Sequence, residues 1–110
     1  CPCSNIFIHN ALPPVELMRA SGIRLTIGTD SLSSNDDLDM VKEMFCLQEN
    51  FPDIPLGELV MWASRNGAEF LGKDSALGQI KAGKRPGLVH VDHISGDGRL
   101  TVASVSRRII

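Results

Sequence analysis

The sequence has no basic block, no long apolar run and no cysteine framework, and each absence removes a class of protein. Eleven Lys and Arg against thirteen Asp and Glu leave a formal charge of −2, so nucleic acid and anionic membrane surfaces are poor partners. No stretch approaches the ~18–20 apolar residues that cross a bilayer, and nothing reads as a secretory signal peptide. The three cysteines, Cys1, Cys3 and Cys46, fit no disulfide pattern and read as reduced thiols of a cytoplasmic protein. A zinc site also wants Cys-x₂₋₄-Cys pairs, which Cys1-Pro2-Cys3 is too tight to supply. There is no repeat and no low-complexity tract. The chain opens on Cys1 rather than methionine and reads as a piece of something larger.

What is present is the length of one domain, 110 residues with 43% hydrophobic, written in two textures. Residues 1–8 read as the end of a strand and the loop after it. Pro13-Pro14 marks a helix start, Val15, Met18 and Leu17 supply its apolar stripe, and Gly22 is its stop. Arg24–Gly28 is a short apolar run that predicts a buried parallel strand. Ser34-Asn35-Asp36-Asp37 looks like the start of a second helix, with a cap followed by carboxylates in the first turn. Leu38, Val41, Phe45 and Gln48 would form its buried face, widened by Met44. Pro52 and Pro55 break that helix and open another, which carries Leu56, Leu59, Val60, Trp62 and Ala63, with an interruption at Asn66-Gly67 and a stop at Gly72. Helix, turn, strand, helix is α/β grammar. After Gly72 glycines punctuate three short apolar runs, Leu77–Ile80, Leu88–Val91 and Leu100–Val105, and Gly96-Asp97-Gly98 is a hairpin turn signal. This tail predicts antiparallel strands, with a boundary near Lys73.

The run Leu25-Thr26-Ile27-Gly28-Thr29-Asp30-Ser31 carries the clearest chemistry. A buried strand would end in a carboxylate, and acids at the tips of barrel strands tend to line active sites. The bland alternative is that Asp30 only caps a loop. Ser31 hydrogen-bonds substrate or caps the same turn. His90 and His93, three apart in a predicted strand, point to opposite sides and read as surface imidazoles rather than ligands. Cys46, on a helix face, reads as core.

Five motifs in fixed order then point to a family. They are Cys1-Pro2-x-Ser4-Asn5, Leu12-Pro13-Pro14-Val15-Glu16-Leu17, Gly28-Thr29-Asp30-Ser31, Ala63-Ser64-x-Asn66-Gly67-Ala68 and Gly78-x-Ile80-x-x-Gly83-Lys84. Over residues 1–92 the sequence resembles the metal-dependent amidohydrolases, in the cytosine-deaminase and chlorohydrolase branch. The resemblance implies a (β/α)₈ TIM-type barrel with a small β-sandwich. Residues 1–72 would hold the last barrel strands and closing helices, and residues 73–110 the C-terminal strands of the sandwich. It implies a divalent metal, zinc or iron, held by histidines of earlier strands, with Asp30 as the catalytic carboxylate at that metal. Ser4, Asn5, Ser31 and His9 would lie at the substrate pocket. Two departures bear on detail: His9 stands where glycine is frequent, and Pro86-Gly87 replaces a frequent Ala-Asp.

The implied activity is hydrolysis of a ring C–N or C–Cl bond in a small heterocyclic substrate, most simply deamination of a nucleobase-like compound. A metal lowers the pKa of bound water toward ~7, and a carboxylate accepts its proton. Within these residues Asp30 has no visible companion ligands, so the catalytic unit would be the parent protein. The rival reading is a non-catalytic remnant that self-associates, as a homo-oligomer or with another chain, through exposed core faces. A regulatory module with a metal site at His90 and His93 ranks last.

Overall fold

Pro2 opens the first helix, α1 (Pro2–His9), where the expectation was a strand end and loop. Its ring presets φ for the first helical position, and the Cys1 carbonyl accepts the Asn5 N–H at 2.9 Å. Asn10, left-handed at φ 52, closes the helix by donating its N–H to Ile6 O. The second helix, α2 (Val15–Ala20), follows Pro13-Pro14 as predicted, and Gly22 stops it at φ +75, a conformation in which a Cβ would be strained. The computed structural model describes all of residues 1–110.

The stretch expected to be a parallel strand, Arg24–Gly28, carries no ladder. Two ties hold its backbone instead: Ile27 donates its N–H to Trp62 O at 3.3 Å, and the Asn66 side chain donates to Leu25 O at 2.7 Å. A buried parallel strand takes its hydrogen bonds from strands on either side. The one sheet in the chain lies elsewhere.

The third helix, α3 (Met40–Asn50), starts later than the cap signal at Ser34 suggests, because Asp39 is the N-cap and accepts the Val41 N–H. Leu38 therefore falls outside the helix and is exposed, while Val41, Met44, Leu47 and Gln48 form the buried face. Next come α4 (Leu56–Ala63) and α5 (Arg65–Phe70). The break between them falls at Ser64 rather than at Asn66-Gly67; Ser64 Oγ donates to Val60 O at 2.6 Å. Leu59 and Trp62 face inward and join Val15, Val41, Met44, Leu47, Ile54 and Leu100 in one core.

In the tail, β1 (Val89–Asp92) and β2 (Val105–Arg108) pair antiparallel, Val89 opposite Arg108 and Asp92 opposite Val105. Gly96-Asp97 does form a turn, closed by the Ser95 N–H on Arg99 O at 2.9 Å, but it lies inside the connection rather than between paired strands. The strand expected over Leu100–Val105 begins only at its end. Leu100 turns into the core instead, where the buried Gln48 side chain clamps its N–H and its carbonyl, each at 2.9 Å. His90 lies on β1 and His93 just beyond it, both exposed as expected.

Leu77–Ile80, read as a strand, is a turn pinned by Gly78. At φ +80, a Cβ there would stand 2.6 Å from Ala68 Cβ and 3.1 Å from Arg65 Cα. Both the backbone conformation and the close approach to α5 demand glycine. Gly78→Ala is therefore expected to destabilise the fold by about 2–4 kcal/mol, through left-handed strain and overpacking together. Urea denaturation reads this, and a loss below about 0.5 kcal/mol, the level of a neutral surface change, contradicts the packing.

Candidate active site around Asp30

Asp30 sits where the unpaired segment ends, exposed, with φ +60. Aspartate enters this left-handed region more readily than most residues, and such backbone clusters at functional sites. Two hydroxyls converge on one of its oxygens: Ser34 Oγ donates to Oδ2 at 2.9 Å and Ser4 Oγ at 3.0 Å. Both serines are buried. Ser4 comes from the first turn of α1 and Ser34 from the loop before α3, so three chain segments meet at one carboxylate.

These bonds hold the Asp30 carboxyl below the ordinary aspartate range, the Ser34 bond first and the Ser4 bond second. Hydrogen bonds to the ionised form favour it. Asp30 is thus a carboxylate throughout the neutral range. The stability conferred by its depressed pKa is present above the unfolded value of ~3.9 and is lost as pH falls through the folded value.

Of the residues singled out in the sequence, Ser4, Asp30 and Ser31 come together; Ser31 Oγ lies 2.7 Å from Ser33 Oγ and 3.4 Å from Ser34 Oγ. Asn5 instead lines a small cavity of about 80 Å³ with Cys1, Val15, Leu47 and Trp62. His9 is exposed at the far end of α1, about 7.5 Å along the axis from Ser4 at the helical rise of ~1.5 Å per residue. Sequence reasoning missed Ser34 and Asn35, whose side chains look like helix-capping groups but are spent on Asp30 and on Thr29 O. It also missed the tie from motif residue Asn66 to Leu25.

The donor set answers the question of a metal in part. Asp30 offers a hard oxygen ligand, but no three His, Cys, Asp or Glu side chains gather to hold an ion. A catalytic zinc takes three protein ligands, so these residues alone do not form its site, and an ion at Asp30 would need further donors from elsewhere. The thiols add little: burial first, then the Glu43 carboxylate and Cys46, push the Cys3 thiol up to about 12, and a protonated thiol is a poor ligand and nucleophile.

The sequence profile of the amidohydrolase family matches residues 1–107. The chain belongs to the amidohydrolase family. Its members are generally metal-dependent and built on a TIM barrel, and the small α/β piece described above is consistent with a fragment of that fold. Among curated relatives, the 5-methylthioadenosine/S-adenosylhomocysteine deaminase of Moorella thermoacetica is 36% identical over 99 residues, 84% of this chain and 23% of that protein. The same deaminase from Halobacterium salinarum is 36% identical over 84% of this chain and 22% of its own length. The 5′-deoxyadenosine deaminase of Methanobrevibacter smithii is 32% identical over 83% of this chain and 22% of its length. The chain thus spans under a quarter of the relatives it matches. No helix is long and apolar enough to cross a membrane.

Proposed function

We propose that the protein to which these residues belong is a hydrolytic deaminase of adenosine-like compounds, with Asp30 as its catalytic carboxylate. The observation that carries this reading is the convergence of Ser4 and Ser34 on Asp30 Oδ2, at the place where the family resemblance assigns an acid. Oriented by two buried hydroxyls, Asp30 is placed to take a proton from an attacking water. Asp30, with donors outside these residues, would hold a divalent ion, zinc or iron, which when bound would lower the pKa of an attacking water toward neutrality. The relatives' names support adenosine-like substrates.

Ser31, on the exposed side of the cluster, is assigned to the substrate side of this site and buried Ser4 to holding Asp30. Asn5 and His9, which lie apart from Asp30 in these residues, would join only at the rim of the larger pocket of the complete protein. Residues 1–72 are assigned to the barrel and residues 73–110 to a composite β-sandwich, for which the β1–β2 pair supplies two strands. Leu100 nevertheless reaches from the tail into the helical core, so the two parts pack as neighbours. Large apolar side chains lie bare on this piece, among them Phe70 (81% exposed), Ile80 (85%) and Val102 (90%). The remainder of the protein, or a second copy of it, covers these faces; stripped of that cover, the 110-residue chain would self-associate.

The test is a panel of ring amines and ring chlorides given to the complete protein. Ammonia release from 5′-substituted adenosines is the expected result. Chloride release from a ring chloride, with the amines untouched, overturns the deaminase assignment in favour of a dechlorinase.

A further inference from the structure

Glu43 is the one deeply buried acid in the chain, 1% exposed on the inner face of α3. It joins none of the four ion pairs, so its buried carboxyl group relies on hydrogen bonds alone to offset its desolvation. Both of its oxygens are engaged. Oε2 accepts the Cys3 N–H at 2.9 Å, one of the N–H groups that a helix leaves unpaired in its first turn. Oε1 accepts from Asn35 Nδ2 at 2.6 Å, and the same nitrogen also donates to Thr29 O at 2.8 Å.

The two residues thus held are the immediate chain neighbours of the two that meet at the site. Cys3 precedes Ser4, Thr29 precedes Asp30, and Ser4 Oγ donates to Asp30 Oδ2 at 3.0 Å. A closed circuit results, running from Glu43 through Cys3 and Ser4 to Asp30, and back through Thr29 and Asn35. We propose that Glu43 is a positioning residue that fixes the Asp30 carboxylate against Ser4 by clamping both of their chain segments from beneath.

Only a carboxylate suits the place. Both neighbours are donors, and a carboxylate accepts at both oxygens, whereas the glutamine amide would turn an NH₂ toward one of them. The proposal rests on the assignment of Asp30 as catalytic, and its test keeps the two apart. In the complete protein, Glu43→Gln and Asn35→Ala are each expected to lower kcat by about 10–100-fold with KM within about twofold, as misplacement of a reacting group does. Their combination is expected to fall well short of the product of the two losses, because both break one circuit.

Wild-type kcat per folded molecule in both variants overturns the proposal, as does a double variant whose losses multiply. Should Glu43→Gln fail to fold, Asn35→Ala decides alone, since it leaves the Glu43–Cys3 bond in place. Asp30→Asn is run beside them. A large loss there with none in the other two removes Glu43 only, whereas full turnover by Asp30→Asn removes the catalytic assignment and the positioning role with it.

Discussion

Replacing Asp30 with alanine in the complete protein is expected to lower kcat by about 10²–10⁴-fold, the span that a positioned acid or base contributes. The expectation follows from three features of one residue. Its carboxylate is exposed at the end of a segment tied to α4 and α5. Two buried serine hydroxyls donate to a single oxygen of it. Those bonds pull its pKa below the ordinary value, which keeps it ionised and able to ligate an ion at some cost in basicity. The backbone complicates the choice of variant, since alanine at φ +60 incurs a left-handed cost of roughly 1–2 kcal/mol that aspartate partly escapes. Asparagine tolerates this conformation, so Asp30→Asn removes the charge with little backbone penalty and should show the same loss. Turnover within a few-fold of wild type in both variants, with circular dichroism unchanged, would leave Asp30 a loop cap and nothing more.

The second large effect concerns the core. Trp62 is 4% exposed on α4 and packs among the helices beside Leu59 and Ile54. It already borders the cavity of about 80 Å³ between α1, α2 and the 25–27 segment. Truncation would merge the lost ring volume with that void, and a rigid surround limits collapse. Trp62→Ala is expected to destabilise the fold by about 3–5 kcal/mol. The loss should be felt at the site as well, because the Trp62 carbonyl anchors Ile27, three residues from Asp30. A fall in urea midpoint equivalent to less than about 1 kcal/mol, typical of substitutions outside the core, would show that the helices do not close around this ring.

Some of this was legible from the residues and some was not, for reasons that can be named. The Pro13-Pro14 start and Gly22 stop of α2 follow from backbone constraints that travel with the residue. Trp62 and Leu59 follow from helical spacing. The proposed catalytic acid was visible as a lone carboxylate after an apolar run. The helix α1 was hidden because Ile6, Phe7 and Ile8 are all exposed, so its apolar residues show no helical stripe and look like a strand. Ser34 and Asn35 misled because a capping pattern and a buried polar network use the same residue types. Glu43 lies on a helix amid charged neighbours, and a sequence pattern does not separate a buried acid from a solvated one. Leu100 reaches the core through Gln48, a contact across 52 positions that no local period records.

A crystal structure of the complete protein would test the assignment of Asp30 at its root. Arg24–Gly28, without a ladder in these residues, is expected there to be paired between parallel strands of a closed barrel. Asp30 would then stand at the barrel mouth beside Ser4 and Ser34, facing the histidines of the other strands. A structure in which Arg24–Gly28 lies unpaired at the surface, with the Asp30 carboxylate directed into solvent away from any histidine cluster, would contradict it.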